Sequence, residues 1–386
     1  MKILITTDLF TTETNGVVTS VRNLQKELTA RGHEVRILTL SENRHSRRDG
    51  DVYYIRSVPF AVYPNVRMPT SYRHRLIREI KQWRPDVIHS QCEFFSLRFA
   101  KYISRATGAP IVHTYHTMYE QYVKYVLPSR RLGGVVVRLC SRLWLHRARM
   151  IIVPTAKIER VLRSYKMKNP IRVIPSGISL EQHKKRLSPE ERLEKRRQLG
   201  ISDDCITLLN LGRLGVEKNV GEILRLYAEA RKKHSRLCLL FVGDGPAKED
   251  LVKLAQELDV SGSVIFTGMV KPSEVQDYYQ LGDVFVSAST SETQGLTYIE
   301  AAANGLPLLC RRDDCLDGVL CEGENGYSYT SDEEFLTSLD GMIGDADFRK
   351  AAGKRSEEIA RRFDKATFGE SVEQVYREVL SDERRN

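Results

Sequence analysis

The chain has 386 residues, 41% hydrophobic and 28% charged, the balance of a soluble globular protein too long for one core and long enough for two or three domains. No apolar run approaches the roughly 20 residues of a membrane span, and MKILITTD enters a strand pattern directly, without the layout of a signal peptide. Seven scattered cysteines with no Cys-x-x-Cys pair exclude a disulfide framework and a structural zinc site, and suit a reducing cytoplasm. The net charge of +10 divides unevenly: residues 1–200 hold 38 Lys and Arg against 16 Asp and Glu, and residues 201–386 hold 22 against 34. A basic half suits nucleic acid, an anionic membrane surface or a phosphorylated substrate, and composition does not choose among them.

In chain order, short β-branched runs at 2–6, 34–40, 86–90, 110–114, 150–153 and 171–175 read as strands buried on both faces. Between the first two, Val17, Val21, Leu24 and Leu28 mark one face of a helix that Gly32 ends, so the unit is βαβ and the sheet parallel. The loop after the first strand holds Asn15–Gly16–Val17, a tight turn or an anion site at a helix N-terminus. His113 and His116 close the strand at 110–114. The spacing is poor for zinc, so His113 is expected in the sheet packing and His116 in a ligand cleft. Read as a helix, Arg130–Arg149 brings Arg138, Arg142 and Arg149 within about 20° of Arg131. Leu132, Val136, Leu139 and Leu143 run beside them with Trp144 on the flank. This is either an interfacial membrane helix or a core helix with a basic edge.

Charge-rich residues 176–204 read as the join, with Ser188–Pro189–Glu190–Glu191 starting a helix. The βα scheme then repeats, with strands at 206–211, 237–242, 263–266, 284–287 and 306–309. The fold class is therefore α/β: two doubly wound Rossmann-like domains facing across a cleft, with ligands outside the strand carboxyl ends. Loops after those strands carry the chemistry. Arg213 and Lys218 stand before a helix that Asn219 can cap, either a site for a diphosphate or two solvated surface cations. Gly243–Asp244–Gly245–Pro246 suits a tight turn or close ligand approach. Glu292 precedes a helix whose N–H groups at Gly295, Leu296 and Thr297 can hold phosphate oxygens, and Glu300 lies one turn in, placed to accept from a ribose diol. Neither a Gly-x-Gly-x-x-Gly fingerprint nor a Walker loop is present.

At these residues the sequence resembles retaining glycosyltransferase family 4, of GT-B fold, and within it the bacterial diacylglycerol glucosyltransferases. Ser179 departs from the aspartate many relatives carry there. The resemblance implies an acceptor-side domain at 1–180, a donor domain at 181–365 and a C-terminal helix, 366–386, crossing back to the first. It implies a hexose, glucose foremost, moved from UDP-glucose to a lipid such as diacylglycerol. Arg213 and Lys218 would neutralise the leaving diphosphate, Glu292 and His116 contact the sugar, Glu300 the ribose, and Gly16, Gly243 and Gly295–Thr297 the donor through backbone. No metal or cofactor is expected. The expected partners are the sugar nucleotide, the lipid and an anionic membrane surface, the last through Arg131, Arg138, Arg142, Trp144 and Arg149, with no nucleic acid. The expected place is the cytoplasm, peripherally on the inner face of the cell membrane. The rival readings are a soluble acceptor, a sugar-nucleotide epimerase and a nucleic-acid binder.

Overall fold

The structure, a computed structural model, describes residues 1–11, 16–43, 45–60, 67–118 and 130–383, without the side chains of 130–132 and 383. It divides into two compact units, Met1–Gly177 with Lys365–Asn386, and Ile178–Asp364.

The first unit opens with β1 (Lys2–Thr6), α1 (Gly16–Ala30), β2 (Glu34–Ser41), β3 (Arg47–Asp49), β4 (Val52–Pro59), β5 (Arg67–Pro69) and α2 (Arg75–Trp83). It continues with β6 (Val87–Ser90), α3 (Phe95–Thr107), β7 (Ile111–Thr114), α4 (Arg130–Leu145), β8 (Ala148–Val153), α5 (Ala156–Ser164) and β9 (Ile171–Val173). The strand order is β3-β4-β2-β1-β6-β7-β8-β9, with β5 beside β4. All pairs are parallel except β3 and β5, each antiparallel to β4. Alternate residues of each central strand enter opposite cores, as the period of a strand dictates. Leu4, Ile88, Ile111 and Ile151 pack with Ile77 and Ile80 of α2 and Phe99 and Ile103 of α3. Ile3, Ile5, Val87, Val112 and Ile152 pack on the other face, with Val21 and Leu24 of α1.

The second unit runs α6 (Leu180–His183), α7 (Pro189–Gln198), β10 (Ile206–Leu211), α8 (Val220–Lys233), β11 (Leu237–Val242), α9 (Lys248–Glu257) and β12 (Val264–Phe266). Then come α10 (Val275–Tyr279), β13 (Val284–Ser287), α11 (Leu296–Ala303), β14 (Leu308–Arg311), β15 (Gly326–Tyr329), α12 (Asp332–Gly344) and α13 (Ala346–Ala360). Its sheet, β12-β11-β10-β13-β14-β15, is parallel throughout. Ser188 and Glu191 form a reciprocal capping box at the start of α7. Arg196 of α7 is fully buried, pairing with Asp283 and donating to the Leu281 and Ser202 carbonyls.

The last helix, α14 (Lys365–Glu383), belongs to the first unit. Val372, Val375, Tyr376 and Val379 complete the core over α1, and the Tyr376 hydroxyl lies 2.6 Å from His89 Nδ1. Gly177 makes the approach possible: a Cβ there would stand 2.6 Å from Lys365 Cα.

Candidate active site

In the second unit the strand order reverses between β10 and β13, and the loops that follow these two strands carry the predicted donor residues. The loop after β10 is fastened to the loop after β11. Leu214 N–H donates to Asp244 O at 2.9 Å, and Ala247 N–H to Leu214 O at 2.9 Å. Gly243, at φ 134°, allows this, because a Cβ would lie 2.0 Å from the Gly212 carbonyl oxygen. Gly243 therefore serves the close packing of these two loops. A Cβ on Gly212 would lie 3.8 Å from Thr297 Cγ2, so the same loop also touches the start of α11.

Gly295 caps α11 in the left-handed region, at φ 73°, where any Cβ would strike the Tyr298 ring. Leu296 and Thr297 follow in the first turn, whose backbone donors have no intrahelical acceptor. Lys218 Nζ reaches Glu292 Oε1 at 2.5 Å, which ties the loop after β10 to the loop after β13. Arg213, half exposed, pairs with the buried Glu217 carboxylate. Each predicted cation thus rests on an acid of the protein. Glu300 accepts from the Tyr279 hydroxyl at 2.7 Å. Burial raises its carboxyl from the ordinary 4.5 to about 7, against the opposing pull of that hydrogen bond. Asn219 stands at the N-cap of α8 but makes no capping bond, since its amide donates to Glu222.

In the first unit His113 is fully buried, its Nε2 3.2 Å from Glu93 Oε1. His116 lies past the end of β7, partly exposed, with Nε2 2.7 Å from Gln91 Oε1. An amide oxygen only accepts, so Nε2 carries the proton and Nδ1 is left as an acceptor. Burial, with His113 nearby, lowers His116 to about 3, so the ring is neutral at physiological pH. Gly16 begins α1 and is exposed, while Asn15 lies outside the described residues. Among the described residues, no group of three or more His, Cys, Asp and Glu is placed to hold a metal.

The family model described as Glycosyltransferase Family 4 matches residues 14–182, and that described as Glycosyl transferases group 1 matches residues 191–359. Over 384 residues the chain is 35% identical to the alpha-monoglucosyldiacylglycerol synthase of Streptococcus pneumoniae, covering 98% of this chain and 86% of that one. The chain belongs to glycosyltransferase family 4. It is also 31% identical, over 98% of both chains, to the alpha-monoglucosyldiacylglycerol synthase of Acholeplasma laidlawii. The crystal structure of HepE from Anabaena in complex with UDP-glucose matches with a TM-score of 0.76 at 18% identity, over 99% of this chain and all of that one. The two units are the Rossmann-like domains of the GT-B fold, and the epimerase and nucleic-acid readings fall away.

In this glycosyltransferase the basic helix is shorter than its periodicity suggests. α4 stops at Leu145, where the Asn169 amide donates to the Leu145 and Ala148 carbonyls at 3.0 and 2.8 Å. Arg149 therefore sits on β8, exposed but off the helical stripe. Trp144 turns from that stripe to pack on Phe94, with ring centroids 5.6 Å apart. The side chains of Arg131 and Leu132 lie outside the described residues. What remains is coherent. Val137, Ser141 and Leu145 are buried, while Val135, Val136, Leu139 and Leu143 are 47%, 43%, 50% and 68% exposed beside exposed Arg138 and Arg142. No helix among the described residues is long and apolar enough to cross a membrane.

Sequence reasoning missed the partners. Tyr279 on Glu300 and Gln91 on His116 stand 21 and 25 residues from the groups they hold, with no local pattern to announce them. Glu217, four residues after Arg213, had a signal in its helical spacing.

Proposed function

We propose that this glycosyltransferase moves glucose from UDP-glucose to the free hydroxyl of diacylglycerol, with retention of anomeric configuration and without a metal ion. The reading draws on the printed names of the relatives from S. pneumoniae and A. laidlawii and on the UDP-glucose complex of HepE. It is carried by one observation: Lys218 and Glu292 meet at the reversal point of the sheet, beside the N-terminal turn of α11. The helix N-terminus and Lys218 suit the diphosphate, whose growing charge in the transition state they stabilise in place of a metal. Arg213, half exposed, reaches the same anion. Glu292 then turns from Lys218 to the sugar hydroxyls. His116 orients the sugar as a neutral acceptor through Nδ1, so its share in stabilising charge is that of a dipole.

Glu300 takes the ribose hydroxyls, and the pH dependence of that contact is fixed by its surroundings. Ribose hydroxyls donate, so the carboxyl must be ionised to receive them. With a value of about 7 in the free enzyme, affinity for UDP is expected to rise about tenfold from pH 6 to pH 8, beyond any change shown by Glu300→Gln. Calorimetric titration of both proteins checks this. A raised carboxyl also favours the folded state only while protonated, and that stability is lost as pH rises from 4.5 through 7. The Gln variant should therefore melt higher than wild type at pH 8. Glu300→Ala should act on donor binding more than on turnover, because a ribose contact is the same in ground and transition states.

The acceptor reading also draws on α4. Its apolar and basic exposed face suits a peripheral site on an anionic cytoplasmic membrane leaflet. The test is a panel of labelled sugar nucleotides, with and without diacylglycerol vesicles, before and after exhaustive chelation. Labelled lipid formed from UDP-glucose alone, undiminished by chelation, is expected. A strict requirement for manganese or magnesium, or transfer only to water-soluble acceptors, would overturn the proposal.

A further inference from the structure

The short helix α10 holds α11 at two places, one turn apart. The Gln276 amide donates to Asn304 Oδ1 at 2.5 Å, and the Tyr279 hydroxyl donates to Glu300 Oε2 at 2.7 Å. Tyr279 is fully buried, in a row of aromatic rings that fixes it. Its centroid lies 6.4 Å from that of Phe285 on β13, and Phe285 lies 5.9 Å from Tyr298 on α11. The row ends where Gly295 opens α11, since a Cβ on that glycine would strike the Tyr298 ring. Glu300 is only partly covered, so a ligand can reach it.

Burial and the neighbouring carboxyl hold the Tyr279 phenol well above its usual range, so it keeps its proton and donates it. A second acceptor, the Thr297 carbonyl, stands 3.5 Å away, too far to compete. Charged groups face α11 from several sides, but their partners are elsewhere. His183 of α6 accepts from the Asn304 amide, and Arg186 donates to the Asn304 carbonyl while pairing with Glu357 of α13. Lys218 pairs with Glu292 ahead of α11, and Asp277 of α10 with Lys195 of α7. Among the described residues, Tyr279 is the one hydrogen-bond donor to the Glu300 carboxyl.

We propose that Tyr279 is a positioning residue of the donor site: it grips one oxygen of Glu300, holds that acid as a carboxylate and leaves the other oxygen turned to the ribose. The inference rests on Glu300 as the ribose contact and adds the group that makes it able to accept there. Burial favours the neutral acid, and the hydrogen bond from Tyr279 opposes burial.

Tyr279→Phe removes one oxygen and keeps the ring in its row. The Glu300 carboxyl should then titrate about one to two pH units higher, the effect of losing one hydrogen bond to a charged group. Carbon-13 NMR of the free enzyme, labelled in its glutamate carboxyls, reads this on the resonance that Glu300→Gln removes. Affinity for UDP is compared with wild type at each pH, so that titration of UDP itself cancels. It should fall about 5- to 50-fold at pH 7 and no more than about twofold at pH 9. At pH 7 the donor KM should rise while kcat stays within about twofold, as for a contact shared by ground and transition states. An equal loss of affinity at every pH, which a merely structural role gives, would overturn the inference, and so would an unmoved carboxyl resonance. A resonance that moves in a protein whose UDP affinity ignores Glu300→Gln overturns the ribose contact instead, and leaves the hold of Tyr279 on Glu300 standing.

Discussion

Lys218→Ala should lower kcat by about 10²–10³, the usual loss when one stabiliser of leaving-group charge is removed. Arg213→Ala should fall in the same range and Lys218→Ala toward its upper end, for a reason visible in the side-chain pairs. Arg213 is half exposed over Glu217, so its removal opens a place that water fills. Lys218 is three-quarters buried on Glu292, and with a diphosphate held as proposed its removal would leave an acid beside that anion with no cation between them. Two like charges at about 4 Å repel by roughly 4 kcal/mol at an effective dielectric of 20. The double variant Lys218→Ala/Glu292→Gln should therefore recover part of the loss in kcat, although Glu292→Gln alone slows the enzyme. Steady-state kinetics with saturating acceptor measures all four. Wild-type turnover in Arg213→Ala and Lys218→Ala would remove both residues from the site, and a double variant no faster than Lys218→Ala would remove the repulsion.

Leu139→Ser/Leu143→Ser should nearly abolish binding to anionic vesicles while leaving affinity for UDP intact. Burying a leucine side chain contributes about 1.5–3 kcal/mol, so losing two costs roughly 3–6 kcal/mol, or more than a hundredfold in affinity. Arg138→Gln/Arg142→Gln should cost less, about 1 kcal/mol for each charge. Only the arginine contribution should fade with salt, as the Debye length drops from about 10 Å at 0.1 M to about 3 Å at 1 M. Co-sedimentation with neutral and anionic vesicles separates the two. Trp144, packed on Phe94, should show little change in fluorescence on binding. Indifference of binding to lipid charge, salt and both leucines would make the face of α4 an ordinary solvated one.

The central strands were legible because a parallel sheet covered on both faces needs nearly unbroken apolar runs, as in KILIT, LCLLFV and VFVS. The edges were not. Arg47–Asp49 is exposed at every residue and pairs only as the margin of the sheet, and Gly326–Tyr329 opens with a glycine. Val52–Pro59 carries tyrosine and arginine among its apolar positions, which blurs the pattern of a buried strand. The end of α4 was hidden for another reason: the amide that stops it belongs to Asn169, a distant residue. In the candidate site, Gly243, Gly295 and the residues after β10 and β13 were readable, since turns and helix starts are local. The pairing of Lys218 with Glu292 spans 74 residues and exists only once β10 and β13 lie side by side.

The most direct measurement is a crystal structure of the enzyme with UDP, grown without divalent metal. The account predicts diphosphate oxygens within hydrogen-bond distance of the Leu296 and Thr297 N–H groups and of Lys218 Nζ, with the Lys218–Glu292 contact opened. The ribose hydroxyls should lie on Glu300, with Tyr279 still donating to its other side. UDP bound elsewhere, or a diphosphate that leaves the Lys218–Glu292 pair closed and the start of α11 untouched, would contradict it.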